Sequence, residues 1–165
     1  MAKTALKGNP VNTNGDLPKK GVKAPSFKLV KSDLSEAGPR DFEGKKLLLN
    51  IFPSLDTGLC ATTVRKFNEK AASLDDTIVL AISKDLPFAM GRFCTTEGIK
   101  NVVTLSGFRD SMFGKAYGMD IIDGPMAGLY ARGVVVIDEK GKIKYTELVP
   151  EISQEPDYDS ALAAL

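Results

Sequence analysis

The sequence predicts a single α/β domain over residues 1–165, in which helices cover both faces of a mixed central sheet. Two continuous apolar runs, at residues 45–52 and 77–83, are typical of strands buried on both faces. Each run precedes a segment with helical periodicity, and this alternation produces parallel strands. A hairpin pattern over residues 129–149 adds antiparallel strands, so the sheet is expected to be mixed.

The N-terminal segment, residues 1–15, is predicted to form a β-hairpin extension. "KTALK" and "VNT" supply its strands, and Gly8-Asn9-Pro10 between them has the composition of a turn. Residues 13–26 are rich in Gly, Pro and Lys and predict a loop. A short strand is expected at residues 27–30.

A helix is predicted after the first buried strand and a loop at residues 53–58. Its apolar positions are spaced by three and four residues, which places them on one helical face. These positions are Cys60, Val64, Phe67, Ala71 and Leu74.

The remaining elements follow in alternation. A short helix is expected to start near Pro87, to end around Cys94 and to stop at Gly98. "NVVTLS" predicts a strand, and "DSMFGKAYG" predicts a short helix closed by its last glycine. Residues 129–138 and 142–149 form the predicted hairpin, and "DYDSALAAL" the C-terminal helix.

The composition excludes several kinds of chemistry. The chain has no histidine and two cysteines, so it cannot assemble a Ser-His-Asp or Cys-His centre or an ordinary zinc site. We therefore expect neither a metal nor a cofactor. A formal net charge of +1 gives no electrostatic reason for binding nucleic acid or an anionic membrane.

The location of the protein is also an expectation from the sequence. No apolar run approaches the ~20 residues of a membrane span, and the N-terminus lacks the apolar core of a signal peptide. We expect a reducing, cytoplasmic environment, in which cysteines are more often reactive or simply buried than disulfide-bonded.

Cys60 falls in the first turn of a predicted helix, with Asp56 and Thr57 as candidate caps. Unpaired N–H groups and the positive end of the helix dipole favour a thiolate there without a histidine base. By position alone, an inert buried cysteine at the start of an apolar face is an equally good interpretation.

Cys94 lies on a different predicted helix and does not form a CxxC pair with Cys60. A reactive thiol with one distant second thiol fits a cycle of sulfenic acid, disulfide and reduction by an external dithiol. Without Cys60, an ordinary buried helix residue beside Phe93 would be the better interpretation.

The stretch "FPSLDTGLC" contains the pattern P-x-x-x-T-x-x-C, which resembles the peroxidatic motif of peroxiredoxins. "NIFPSLDTGLCATTVRKFNEKAASL", "ISKDLPFAMGRFC", "NVVTLSGFRD", "DGPMAGLYARGVVVID" and "YTELVPEI" resemble the bacterial thiol peroxidase subfamily, the atypical two-cysteine peroxiredoxins. The similarity covers nearly the whole chain, including the N-terminal hairpin. It implies a thioredoxin-like peroxiredoxin sandwich and a bacterial source.

The resemblance implies a role for five residues. Cys60 matches the peroxidatic cysteine and Cys94 the resolving cysteine, with an intrachain disulfide between them. Thr57 matches the threonine whose hydroxyl contacts thiolate and peroxide, Pro53 the proline that shields the thiolate, and Arg132 the active-site arginine. By its residues alone, Arg132 is better interpreted as an outward-facing strand arginine.

Two positions depart from the family pattern. Leu59 stands where valine is common, and Ala81 stands where many relatives have a third cysteine. The second departure leaves one possible intrachain pair, so neither change affects the implied mechanism.

The resemblance further implies reduction of hydrogen peroxide and organic hydroperoxides, thioredoxin as reductant, antioxidant defence, and a homodimer, with "SGFRDSMFG" as a candidate interface. Alkyl hydroperoxides are expected to be favoured if Phe88, Met90, Phe93 and Tyr117 form an apolar wall; ordinary core packing is the alternative for these residues. A redox sensor, a thioredoxin-like scaffold with inert cysteines, and a thiol-disulfide oxidoreductase remain competing hypotheses, although the last lacks a CxxC motif.

Overall fold

A computed structural model describes residues 1–71 and 73–165 of the chain. Its strands are β1 (Lys3–Leu6), β2 (Asn9–Asn12), β3 (Leu29–Val30), β4 (Glu36–Ala37), β5 (Lys46–Ile51), β6 (Thr77–Ser83), β7 (Val102–Ser106), β8 (Gly133–Ile137) and β9 (Ile143–Leu148). Its helices are α1 (Gly58–Ala71), α2 (Pro87–Glu97), α3 (Phe113–Tyr117) and α4 (Tyr158–Ala163), and a 3-10 turn spans Pro39–Phe42.

Seven of these strands form one mixed sheet in the order β4-β3-β7-β6-β5-β8-β9. β6 pairs in parallel with both β5 and β7, whereas β8 pairs antiparallel with β5 and β9. The predicted mixed sheet is therefore confirmed. The parallel strands place the loops after β5, β6 and β7 at the same edge of the sheet, which is where Cys60 lies.

Helices cover both faces of the sheet. Successive residues of a strand point to opposite faces, so a central strand contributes apolar side chains to both. Leu49 of β5 packs in a cluster with Phe113 of α3. Leu48 packs on the other side with Phe67 of α1 and Ala161 of α4. The alternation within β5 thus explains why a continuous apolar run was needed in the sequence.

A third cluster lies under the N-terminal half of α1. It joins Cys60 and Val64 of α1 to Phe52, at the end of β5, and to Met90 of α2. The predicted apolar face of α1 is correct for these α1 positions, but the helix ends before Leu74. The side chain of Ala71 lies outside the described part of the chain.

The predicted glycine stops are confirmed at two helices. Gly98 follows α2 with φ 67° and Gly118 follows α3 with φ 65°. This left-handed conformation carries little steric cost for glycine, and its N–H caps the last carbonyls of the helix.

The hairpin is present, but its turn is shorter than the predicted Gly8-Asn9-Pro10 and begins one residue earlier. Lys7 and Gly8 form the turn, and Pro10 lies in β2 opposite Ala5. A two-stranded ribbon consists of edge strands, which tolerate proline because its missing N–H faces away from the partner.

Other features also differ from the expectation. α2 continues to Glu97 rather than ending around Cys94, and β3 covers only Leu29–Val30 of the strand expected at residues 27–30. The strand predicted over residues 129–138 begins only at Gly133, so Arg132 precedes it. The short strand β4, which pairs with β3, was not anticipated. Among the described helices, none combines the length and the apolar character needed to cross a bilayer.

Candidate active site

Cys60 lies in the first turn of α1 and is completely buried. Its backbone N–H donates to Oγ1 of Thr57 at 3.3 Å. Thr57 immediately precedes the helix and so acts as its N-cap, satisfying an N–H that has no partner within the helix.

The hydroxyl of Thr57 both accepts and donates a hydrogen bond. While it accepts from Cys60, it donates to the backbone carbonyl of Ser54 at 3.1 Å. Of the two predicted roles of Thr57, the structure shows the cap, and its contact with Cys60 is to the backbone N–H rather than to the sulfur. Asp56 is exposed, and its backbone N–H donates to the Ser54 hydroxyl.

Arg132 lies directly before β8 and is 2% exposed. Its Nη2 donates to Sγ of Cys60 at 3.1 Å, and its Nε donates to the carbonyl oxygen of Ile152 at 2.7 Å. The interpretation of Arg132 as an outward-facing strand residue is wrong, because a carbonyl from a segment distant in sequence holds its side chain in the interior.

The guanidinium of Arg132 has N–H donors that make no hydrogen bond to the described residues. Within residues 1–71 and 73–165, its buried Nη1 has no hydrogen-bond partner, and no carboxylate forms an ion pair with it. A buried charge is stabilised only when it is paired. The sulfur of Cys60 is the side-chain atom to which this guanidinium donates.

A pocket of about 160 Å³ opens beside these residues. It is lined by Leu6, Pro53, Thr57, Leu59, Met126, Arg132, Ile152 and Ser153. Most of the wall is apolar, and its polar groups include the cap threonine and the buried arginine. A small molecule with one polar end and an apolar substituent fits this lining.

The apolar wall predicted from the sequence was wrong. Phe88 is 68% exposed, Met90 is buried in the cluster beneath α1, Phe93 packs against that cluster, and Tyr117 is buried on the opposite face of the sheet. The actual wall combines Pro53 and Leu59 beside Cys60 with residues from the N-terminal hairpin and from loops near residues 126 and 152. These segments are far apart in sequence, and no local pattern relates them.

Cys94 lies in α2, half buried, and packs against the cluster that contains Cys60. Both thiols are free. Burial raises the pKa of the Cys94 thiol, so the folded helix favours its protonated form. Within α2 the buried residues are Pro87 and Met90, and the rest of the helix lies at or near the surface.

The sequence resembles proteins of one family over its full length. Residues 19–162 match the family model described as Redoxin. The chain is 59% identical to a thiol peroxidase of Corynebacterium glutamicum, with 100% of this chain and 99% of that protein covered. It is 58% identical to a thiol peroxidase of Mycobacterium tuberculosis over the same shares.

Solved structures show the same fold. A peroxiredoxin-like protein from Aquifex aeolicus superposes with a TM-score of 0.93 at 39% identity, covering 99% of this chain and 96% of that one. A thiol peroxidase from Chromobacterium violaceum superposes with a TM-score of 0.90 at 23% identity, covering 98% and 93%. The second likeness concerns the fold alone.

Proposed function

The chain belongs to the redoxin family and within it to the thiol peroxidases, which makes it a peroxiredoxin-type peroxidase; from this premise we propose that Cys60 is its peroxidatic thiol. The observation that carries the proposal is the 3.1 Å contact between Nη2 of Arg132 and Sγ of Cys60 in a buried setting. A guanidinium that donates to a buried sulfur is suited to orienting a cysteine nucleophile and its substrate. The chain thereby needs no histidine to activate its nucleophile.

In the first step, the Cys60 thiolate attacks the terminal oxygen of a hydroperoxide ROOH. An S–O bond forms, the O–O bond breaks, and the departing RO⁻ takes a proton to leave as alcohol, or as water from hydrogen peroxide. Cys60 becomes a sulfenic acid. The unpartnered Nη1 of Arg132 supplies a donor for the oxygen on which charge develops.

Thr57 and Pro53 have subordinate roles in this proposal. The Thr57 hydroxyl can donate to the peroxide only by releasing the Ser54 carbonyl, to which it now donates. Pro53 is buried, lines the pocket and has no N–H, so it covers the thiolate without competing for hydrogen bonds.

In the second step, the sulfur of Cys94 attacks the sulfenic sulfur of Cys60. An S–S bond forms, the S–O bond breaks, and water leaves, which gives an intrachain disulfide. The packing of both residues against one cluster supports this pairing. Burial raises the pKa of Cys94, so opening of α2 would make this thiol a better nucleophile.

An external dithiol then completes the cycle by supplying two electrons and two protons. The family resemblance supports thioredoxin as that dithiol, and a reducing bacterial cytoplasm is where it would be available. In this setting the enzyme removes peroxides as an antioxidant.

The pocket supports alkyl hydroperoxides as favoured substrates. Leu6, Leu59, Met126 and Ile152 provide apolar surface next to the buried arginine. Burying an alkyl group of the substrate against such surface stabilises the complex by roughly 25 cal/mol per Å². Hydrogen peroxide has no group that gains from this wall.

A homodimer is also part of the proposal. Phe108 and Met112, which fall within "SGFRDSMFG", are 43% and 59% exposed. Large apolar side chains at the surface are typical of association sites. Sedimentation velocity of the wild type should show a dimer, and Met112→Ser should weaken it.

The decisive experiment is a thioredoxin-coupled peroxide assay on wild type, Cys60→Ser and Cys94→Ser. Cys60→Ser should abolish peroxide consumption. Cys94→Ser should react once with peroxide and then stall as sulfenic acid or a mixed disulfide. Full activity of Cys60→Ser would overturn the assignment.

The same assay separates the competing functions. A redox sensor using the same cysteines would form the disulfide but turn over slowly under excess reductant. A scaffold with inert cysteines would show slow alkylation of both thiols at neutral pH and no peroxide consumption.

A further inference from the structure

The carboxylate of Asp85 holds the loop that precedes the Cys60 helix. Its Oδ1 accepts from Oγ of Ser54 at 2.7 Å, and its Oδ2 accepts from the backbone N–H of Leu55 at 2.8 Å. Oδ2 also accepts from Oγ of Ser83 at 2.5 Å, at the end of β6. One side chain thus ties the loop after β5 to the end of the neighbouring parallel strand.

These contacts continue as a chain of hydrogen bonds to the nucleophile. Ser54 donates to Asp85 through its hydroxyl, and its carbonyl accepts from Thr57. Thr57 in turn accepts from the backbone N–H of Cys60. The position of Asp85 therefore determines the position of the cap and of the first turn of α1.

The backbone of Asp85 lies just before α2, the helix that carries Cys94. α2, which carries Cys94, begins at Pro87, two residues further on. The carbonyl of Asp85 accepts from the hydroxyl of Ser106 at the end of β7, which fixes this starting point on the sheet. Asp85 thus lies at the junction between the segment that bears Cys60 and the helix that bears Cys94.

We propose that Asp85 is a positioning residue that holds the Cys60 loop in the conformation that reacts with peroxide, at the expense of the conformation that forms the disulfide. This inference rests on the proposed two-cysteine function. Asp85 touches neither substrate nor reacting atoms and acts through Ser54 and Thr57. Loss of the hydrogen bonds of Asp85 slows the attack on peroxide, because the cap and the first turn of α1 are no longer fixed. The same loss speeds disulfide formation, because the Cys60 loop is freer to move.

Asp85→Asn is the sharpest variant because the carboxylate accepts every one of its side-chain hydrogen bonds. An amide oxygen can keep the bonds from Leu55 and Ser83, but the amide nitrogen would face the Ser54 hydroxyl. The hydroxyl oxygen of Ser54 already accepts a hydrogen bond from the backbone N–H of Asp56 at 3.2 Å. The substitution therefore replaces the charge-assisted hydrogen bond from Ser54 by at most a weaker, neutral one donated in the opposite direction.

Ser54→Ala removes the same link and leaves Asp85 unchanged, which keeps the test meaningful if Asp85→Asn folds poorly. The two variants should behave alike, and the double variant should be no worse than either, since both break one interaction. Asp33→Asn is the matched control. Asp33 also accepts from a serine hydroxyl and a backbone N–H, both of Ser35, but it lies in an exposed turn.

The experiment is rapid mixing of the reduced enzyme with hydrogen peroxide, followed by quenching with an alkylating agent and mass spectrometry. It resolves the loss of the Cys60 thiol from the appearance of the disulfide. In both variants we expect the first rate to fall about tenfold, the scale of one hydrogen bond to a charged group, and the second to rise severalfold.

A purely structural role predicts a different result, in which both rates fall together or neither changes in Asp85→Asn and Ser54→Ala. Either outcome would overturn the proposal. Failure of the proposed function is distinct, because it would appear in the wild type as a lack of Cys60 oxidation or of the disulfide. Changed rates in Asp33→Asn would attribute the effect to general loss of stability, which also refutes the proposal.

Discussion

The contact between Arg132 and Cys60 supports the proposal that Cys60 is the peroxidatic thiol of a chain without histidine. Arg132 is 2% exposed and spans two partners, the Cys60 sulfur and the Ile152 carbonyl. A guanidinium suits this task because it carries five donors in a fixed plane and stays charged. The charge and the geometry of the site thus depend on one side chain.

Arg132→Lys tests this dependence. The ammonium keeps the charge, but its three N–H donors sit on one nitrogen. Arg132 reaches the sulfur and Ile152 through two different nitrogens, Nη2 and Nε, which one ammonium cannot reproduce while also holding a donor fixed toward peroxide. We expect the second-order rate constant of Cys60 oxidation to fall by about 10²–10³, the usual effect of losing a donor to developing charge. Stopped-flow competition with a peroxide-consuming reporter measures it.

Arg40→Lys provides the matched control, because Arg40 lies exposed in the 3-10 turn. Its rate constant should equal that of the wild type. A wild-type rate in Arg132→Lys would show that charge alone activates Cys60.

Thr57 offers a second test at this scale, since its hydroxyl caps α1. Thr57→Val keeps the shape and removes the cap, so the free energy of unfolding should fall by about 1 kcal/mol, while Thr57→Ser should retain most of it. Urea denaturation of the reduced protein measures the difference. Thr95→Val, at an exposed helical position, should cost less than Thr57→Val; equal losses would contradict the capping role.

The sequence predicted the positions of the candidate residues along the chain better than their contacts. Cys60 and the cap at Thr57 followed from the local pattern of a buried strand, a loop and a helix. Arg132 could be placed only through the family resemblance, because its burial depends on the Ile152 carbonyl, twenty positions along the chain. Asp85 gave no signal at all, since its role arises only when parallel strands bring two loops together.

The central strands of the sheet were predictable because their signal, like that of Cys60, is local in the sequence. β5 and β6 are buried on both faces, and their continuous apolar runs are a local signal. β4 and the start of β8 were mispredicted because their limits are set by pairing with other strands. The pocket wall could not be predicted, since it is formed by segments that meet only in the folded chain.

The N-terminal hairpin contributes Leu6 to the pocket wall, and hydrogen bonds to Glu151 hold the hairpin in place. Glu151 accepts from the backbone N–H groups of Lys7 and Gly8 at 2.9 and 3.0 Å. The N–H of Ile152 donates to the carbonyl of Ala5 at 2.7 Å, next to Leu6 in the pocket wall. The hairpin turn and the pocket wall are therefore held by the same segment.

Glu151→Gln should loosen this fastening because an amide offers one acceptor oxygen instead of two. We expect the ratio of the rate constants for cumene hydroperoxide and hydrogen peroxide to fall, since Leu6 would be less firmly placed against an apolar substituent. Glu139→Gln, at the exposed turn between β8 and β9, should leave the ratio unchanged. An unchanged ratio in Glu151→Gln would separate the hairpin from substrate preference.

The same contact should respond to pH. Hydrogen bonds from the Gly8 backbone, and from the side chain and backbone of Ser153, lower the pKa of Glu151 to about 2 from an ordinary value of 4.5. A lowered pKa means that the contact stabilises the fold fully above pH 4.5 and loses this effect as the pH falls toward 2. The amide NMR signal of Gly8 should titrate near the lower value; a midpoint near 4.5 would show that the contact is absent in solution.

At the scale of the whole molecule, the two cysteines place opposite demands on the fold. In the proposed mechanism, Cys60 reacts with peroxide from its capped, buried first turn, where it packs against Phe52 and Met90. A disulfide requires the two Cα atoms within about 7 Å and correctly directed Cβ atoms. Since both thiols are free in this fold, we expect it to rearrange when the disulfide forms.

The packing indicates which parts can move. The sheet strands β5 and β6 are buried on both faces, whereas α2 buries only Pro87 and Met90 within its length. At its C-terminal end, α2 is fastened to α1 by the paired hydrogen bonds of Arg65 with Glu97 at 2.9 Å, on the surface. Surface ion pairs contribute little, about 0–1 kcal/mol, so they do not prevent opening.

We therefore expect formation of the disulfide to unwind the first turn of α1 and much of α2 while the sheet stays intact. Hydrogen exchange measured by mass spectrometry should show protection lost at residues 58–62 and 87–97 in the oxidised protein, with β5 and β6 unchanged. Reduced Cys94→Ser should match the reduced wild type, since it lacks the cross-link. If oxidised and reduced wild type gave the same protection in both helices, the disulfide would have to form within the present fold, and α2 would not need to open to expose Cys94.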